Sequence, residues 1–340
     1  MVLLALLLVL PVVLFYFSVL KAADRFEPEP LWLLVSLFLW GAVVATMTAI
    51  IGNVVGQTAV SAALGAKLGD PLVEASTASF VAPLVEETTK GTGLLVLWLL
   101  SALWLKELDG PLDGVIYGGV VGLGFTLTED VLYMTQAASQ AGLSGAGTTY
   151  FLRTILSGLG HASFTAATGL GIGIAVIRKS PFAKVFFPIA GFMTAVGLHA
   201  LHNLLCTFLL ADGVGFVVKL LVFWCFDFLY FVLLLFLALR DRNIVREQLR
   251  VEVGRLLGPK EYERTTSALM LMPFYNFGSL GKSRGGRKAA RQKQLDLIEL
   301  AFIKFRQSLG EQDRALDNKE KALRRRIAEA TGRGVHIGTL

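Results

Sequence analysis

The sequence predicts an all-α protein: a polytopic membrane helix bundle of about seven transmembrane helices with a cytoplasmic helical tail. Three observations carry this. Of 340 residues, 54% are hydrophobic and 17% charged, with a mean hydropathy of +0.62. Several apolar runs reach about 20 residues, the length that spans a hydrocarbon core of about 30 Å. Charge is segregated: residues 1–240 hold 11 Lys/Arg and 14 Asp/Glu, a net of −3, whereas residues 241–340 hold 21 and 12, a net of +9. The division is a membrane-embedded helix bundle over 1–240 and a basic, mostly helical tail over 241–340. The length and number of uncharged runs exclude a large soluble domain.

Val2 to Leu20 is the first span. It lacks the basic n-region and small-residue cleavage site of a signal peptide, which predicts a retained helix, and Pro11 is tolerated as a kink. KAADRFEPEP is a polar loop stiffened by Pro28 and Pro30. Leu31 to Ile51 is the second span. Gly52 to Glu74, small-residue-rich and carrying Lys67 and Asp70, reads as a surface or re-entrant element. Ala75 to Leu105 is the third span, tilted or broken near Pro83, and KELDGP is a turn. Leu112 to Gln136 is the fourth span, with glycines that favour close helix contact. Ala137 to Thr149 is a loop. Tyr150 to Ile177, Phe182 to Leu210 and Phe216 to Leu239 complete the set, with a short loop at Ala211–Gly215. Cys206 and Cys225 lie in apolar runs and imply no disulfide framework.

Basic residues on short loops orient the bundle. Lys21 and Arg25, Lys106, Arg178 with Lys179 and Lys184, and Arg240 with Arg242 are expected in the cytoplasm, giving an outside N-terminus and a cytoplasmic C-terminus. At about 1.5 Å per residue, the ionisable residues inside the spans share a depth. His161 lies about 16 Å from Tyr150, His202 about 12 Å from Leu210, Glu129 about 10 Å from Gln136, and Glu86 and Glu87 about 17 Å from Ala75.

Ionisable groups in hydrocarbon are costly and normally face a protein interior or a wet cavity. The candidate site is therefore Glu86, Glu87, Glu129, His161 and His202, supported by Lys90, Phe125, His199 and Asn203. Glu86 and Lys90 are four apart and can pair; Glu87 points about 100° away. A structural ion pair accounts for Glu86 and Lys90 alone, but not for histidines at the same depth. Two mechanisms suit these residue types. Glu129, His161 and His202 could bind zinc while Glu86 or Glu87 activates its water. Alternatively a glutamate activates water directly, and histidines or Asn203 stabilise the oxyanion. There is no HExxH spacing, no GxSxG elbow and no phosphate loop.

At these residues the sequence resembles the PrsW family of intramembrane proteases, within the group that includes the CPBP and CAAX prenyl proteases. The family's EExxK is matched by Glu86, Glu87 and Lys90, and its Phe-containing motif ending in glutamate by Phe125 and Glu129. Its first histidine motif is matched by His161. The His199 to Asn203 stretch matches its second, with His202 as the site residue. DRFEPEP over Asp24 to Pro30 resembles the family's loop after the first span. The motifs cover roughly residues 20–210, and Asp130 departs from the asparagine expected there. The resemblance implies peptide-bond hydrolysis in or near a bacterial cytoplasmic membrane. It also implies a glutamic-type or a zinc-dependent protease acting on a membrane-anchored protein or peptide.

An ion-coupled transporter is a competing reading, as is a non-catalytic membrane scaffold or substrate-binding protein; the lack of a clear internal repeat weighs against transport. In the tail, Arg240 to Gly258 is expected to be a charged helix leaving the membrane, and Met270 to Arg291 joins an apolar-aromatic patch to a basic run. Gln292 to Leu309 and Glu311 to Ala330 are expected to be helices, paired as a hairpin. The basic run suits anionic lipid heads, and the tail suits a cytoplasmic protein contact. No recognition motif supports nucleic-acid binding, and His336 is expected to be tail only.

Overall fold

The computed structural model describes residues 1–208, 213–271, 286–311 and 313–338. Its helices are α1 Val2–Ala23, α2 Leu31–Leu39, α3 Thr46–Leu68, α4 Asp70–Ser76, α5 Ala82–Leu100 and α6 Pro111–Thr149. They continue with α7 Gly160–Val176, α8 Pro181–Phe208, α9 Gly213–Arg250, α10 Pro259–Thr265, α11 Arg287–Ser308 and α12 Arg314–Gly332. There is no β-strand among the described residues. The chain is all-α, as its composition predicts, and divides into two units, Met1–Lys21 with Glu29–Leu234, and Ala22–Pro28 with Leu235–Leu340.

Six stretches of the described residues are long and apolar enough to cross a membrane, against the expected seven or so. The difference lies in Pro111–Val176, a single stretch of 66 residues. Its backbone leaves helical geometry at Ala141 and Gly142 and again between the π-turn Tyr150–Ile155 and α7. Gly142 at φ 61° supplies the positive angle that a side chain disfavours. The two legs, α6 and α7, run antiparallel: Gly114 abuts Gly169, Gly118 abuts Thr165 and Ala166, and Gly122 abuts His161 and Ala162. A Cβ at Gly114 would strike the Gly169 carbonyl, so these glycines permit backbone-to-backbone contact.

Three local expectations are corrected. The second helix does not stop at Ile51: a π-turn at Trp40–Ala45 joins α2 to α3, and helix runs on to Leu68. Small residues are compatible with a helix once its other face packs, which propensity alone does not reveal. Pro83 does not break its helix: the run from Asp70 to Leu105 is continuous, and the π-turn at Thr77–Val81 just before Pro83 adjusts the backbone ladder where its N–H is missing. The expected loop at 137–149 is helical on both sides of the Ala141–Gly142 break. Of the expected Ala211–Gly215 loop, Ala211 and Asp212 lie outside the described residues and Gly213–Gly215 instead open α9; most of the run after Met270 also lies outside the described residues.

The first unit is apolar outside and polar within. Phe228 is 65% and Trp104 73% exposed, whereas Glu87 and Lys90 are 0% exposed. That arrangement is stable only where the surrounding solvent is hydrocarbon. The second unit has an ordinary apolar core, built from Val245, Leu249, Leu297, Ile298, Ala301, Leu323 and Ile327 among others. There α11 and α12 pack antiparallel, with Arg326 on Asp296 and Lys319 on Glu299. Along α11, Leu297 and Leu300 take core positions, whereas Leu295 is half-buried.

Candidate active site

Helix α5 presents Glu86, Glu87 and Lys90 to the interior of the first unit, all buried. The Lys90 ammonium lies 2.8 Å from Glu87 Oε1 and 3.8 Å from Glu86 Oε2. The expected pairing of Lys90 with Glu86 is therefore the longer of two, and the i,i+3 contact to Glu87 is the hydrogen bond. Lys90 also donates to His161 Nδ1 at 3.0 Å and stands 3.9 Å over the Phe125 ring. Phe125 thus supplies an aromatic face to a desolvated cation.

Glu87 is saturated with donors. Its Oε1 takes Lys90 and, at 3.0 Å, His199 Nδ1; its Oε2 takes the Thr165 hydroxyl at 2.9 Å. A carboxylate only accepts, so the neutral His199 ring carries its proton on Nδ1 and offers the Nε2 lone pair. That nitrogen faces Glu86 Oε2 at 3.8 Å. Glu86 is held on one side only: Asn53 Nδ2 donates to Oε1 at 3.2 Å, and the buried Oε2 has no hydrogen-bond partner.

His161 is the second residue of α7, at the helix start rather than far along a span beginning at Tyr150. Gly122 lets its backbone close on α6. Its Nε2 meets Glu129 Oε2 at 2.7 Å. The same oxygen also accepts from Arg153 Nη2, and Arg153 Nε donates to Asp130 Oδ1 at 3.0 Å. Asp130, which stands where asparagine is expected, is buried, and its Oδ2 accepts from Thr154 at 2.7 Å.

Glu86, Glu87, Lys90, Phe125, Glu129, His161 and His199 are thus joined in one set. His202 and Asn203 are turned elsewhere. The His202 ring stacks on Phe223 at 4.0 Å, with Phe164 at 5.5 Å, in a narrow gap shared with Ser157, Gly160, Phe226 and Asp227. Asn203 donates to the Ala78 carbonyl at 2.8 Å, in the π-turn before α5. The metal ligands expected from sequence are Glu129, His161 and His202; in the structure it is the ligand atoms of Glu86, His161 and His199 that lie within 4.8 Å of one another. Two histidines three apart lie about 60° apart around a helix, and the crossing of α8 with α5 decides which one looks inward.

Sequence reasoning passed over Asn53, Arg153, Thr154 and Thr165. Arg153 had a signal, a lone cation in an apolar stretch. Asn53 lay in the segment read as a surface element, and the threonines resemble their neighbours.

The donor set fits a divalent cation. Two imidazoles and a carboxylate are a recurrent catalytic zinc set, and one oxygen of that carboxylate is buried and unpartnered. With each group in its aqueous charge state, Glu86, Glu87, Glu129 and Asp130 exceed Lys90 and Arg153 by two negative charges. His199 is already oriented by the Glu87 carboxylate, as metal-bound histidines are. His161 would join through a ring nitrogen that Lys90 or Glu129 now holds.

Residues 29–237 match a family model described as the PrsW family intramembrane metalloprotease. The chain is 26% identical over 186 residues to Protease PrsW of Geobacillus kaustophilus, covering 53% of this chain and 69% of that protein. No solved structure matches it. An apolar bundle with inward carboxylates and histidines is what proteolysis inside a membrane demands, and the family match spans more than half the length. The chain belongs to the PrsW family of intramembrane metalloproteases and is an integral membrane protease.

Proposed function

We propose that this protease is an endopeptidase that hydrolyses a peptide bond of a membrane-anchored protein or peptide, with Glu86 at the reacting water. The observation that carries the reading is the Glu86 Oε2 atom, buried, unpartnered and 3.8 Å from both Lys90 Nζ and His199 Nε2. Burying a carboxylate oxygen with no donor is costly, and a water or a cation there would offset it. Asn53 anchors Oε1, so the free oxygen is presented in one direction.

The other side chains take supporting roles. Glu87 aligns His199 and neutralises Lys90. His161 is fixed between Lys90 and Glu129. His202 stands across the Phe164 ring from His199, a place proposed for contact with substrate, and Asn203 ties α8 to the segment leading into α5. Glu86 Oε2 takes the proton of the attacking water as its oxygen adds to the scissile carbonyl carbon. The proton then passes to the amine nitrogen as the C–N bond breaks. Zinc is the metal this donor set suits; where Glu86, His161 and His199 hold it, Glu86 is a ligand instead of the base, and the metal would acidify bound water and polarise the carbonyl.

The substrate-facing site is read as lying in the outer half of a bacterial cytoplasmic membrane, with the basic tail in the cytoplasm as a contact surface for protein or anionic lipid. The test uses purified protein in detergent and a transmembrane peptide that wild type cleaves. Glu86→Gln is expected to reduce cleavage by about a hundredfold or more with helicity unchanged. Wild-type turnover in that variant would sink the assignment. Metal analysis of the same samples divides the two roles of Glu86: loss of zinc marks a ligand, and retained zinc with lost cleavage marks the base.

A further inference from the structure

We infer that Arg153 is a positioning residue of this protease, acting on His161 through Glu129; the inference rests on the active site proposed above. Arg153 sits in the π-turn Tyr150–Ile155, between the end of α6 and the bend before α7. Turns of this kind often re-aim a side chain at a functional site. Here the turn brings Arg153 and Thr154 against two successive carboxylates of α6. The guanidinium forks: Nη2 donates to Glu129 Oε2 and Nε to Asp130 Oδ1 at 3.0 Å. Thr154 takes the second oxygen of Asp130 at 2.7 Å. Tyr133, one turn beyond Glu129, lies face-on to the guanidinium, 4.0 Å from its carbon to the ring centroid.

The decisive detail is that one atom, Glu129 Oε2, receives both Arg153 and His161 Nε2. Arg153 therefore determines where the carboxylate stands and, through it, how the His161 ring is turned. The Arg153 side chain is 31% exposed and that of Glu129 14% exposed, so the pair lies at the accessible margin of the set, beside the fully buried Glu87 and Lys90. A brace needed only for folding would have no reason to share its acceptor atom with a site histidine. The fork also explains the residue type. A planar guanidinium reaches two separate carboxylates with fixed geometry, whereas an ammonium is a point donor.

The test is a double-mutant cycle in detergent on one transmembrane peptide that wild type cleaves, with thermal unfolding of every variant. Arg153→Gln is expected to lower kcat about tenfold or more, with KM within about twofold, because it disturbs a group used in the reaction rather than in binding. In a Glu129→Gln background the same change should cost less than about twofold, since its route of action is already gone. Arg153→Lys should recover part of the kcat. Losses that multiply in the double variant, or equal losses for lysine and glutamine, overturn the inference. If Arg153→Gln does not yield folded protein, Arg153→Lys carries the test, and an unchanged kcat in that variant overturns it. Glu129→Gln alone reports on the underlying site: wild-type cleavage there would remove the proposed active site, whatever Arg153 does.

Discussion

At the scale of single residues, adjacent glutamates have unlike surroundings. Glu87 accepts from Lys90, His199 and Thr165, whereas Glu86 has one anchored oxygen and one bare oxygen. A carboxylate saturated with donors is fixed in place, whereas one with a free buried oxygen has an acceptor site left for a water or a cation. In the second unit the same chemistry serves stability. Glu252 is buried, accepts the Arg324 fork at 2.8 and 3.0 Å, and takes Lys304 at 2.6 Å. Chiefly through the Arg324 hydrogen bonds, its pKa falls from 4.5 to about 2. Because the folded value is the lower one, the stabilisation is full above about pH 4.5 and is lost as pH falls towards 2. Glu252→Gln is expected to lower the melting temperature by about 3 °C or more at pH 6. The gap to wild type should close in acid; a gap independent of pH would contradict this.

At the scale of elements, position depends on interruptions. The π-turns at Trp40–Ala45, Thr77–Val81 and Tyr150–Ile155 precede the segments that carry Asn53, Glu86 with Glu87, and His161. The glycines of α6 set the distance to α7, and so the reach of Thr165 to Glu87 and of His161 to Glu129. A Cβ at Gly118 would lie 2.6 Å from the Thr165 carbonyl oxygen and 2.8 Å from Ala166 Cα. Gly118→Val is therefore expected to destabilise by about 1–3 kcal/mol and to reduce cleavage. Gly147 in the same helix meets nothing within 4 Å, so Gly147→Ala should leave stability unchanged or slightly raised. Thermal unfolding of both variants in detergent checks the pair; equal effects would remove the argument from close packing.

At the scale of the whole molecule, the apolar exterior of the first unit places the chain in a membrane, and the charge asymmetry is the basis of the proposed orientation. The short loops holding Lys106 and Arg178 with Lys179 carry the basic residues, and the tail from 241 onward is net +9. The proposed orientation predicts that a reporter fused at the C-terminus of the full chain in cells is active only in the cytoplasm. External labelling of that reporter would reverse the orientation and the assignment of the site to the outer half.

Composition and local pattern alone made much of this protein legible: the all-α membrane class, the ionisable residues in apolar surroundings, and the Glu86, Glu87 and Lys90 cluster of the candidate site. These follow from solvation, because a charge in hydrocarbon is costly wherever the chain later takes it. Which histidine joins the glutamates, which glutamate is left bare, and that Asn53 and Arg153 belong to the set were decided only in three dimensions. His199 and His202 are equivalent by spacing and hydropathy. The crossing of α8 with α5 directs His199 to Glu87 and His202 to Phe223. His161 opens α7 after a break at 156–159, inside the span expected to run unbroken from Tyr150. Non-local contacts set these choices, and no window along the chain contains both partners.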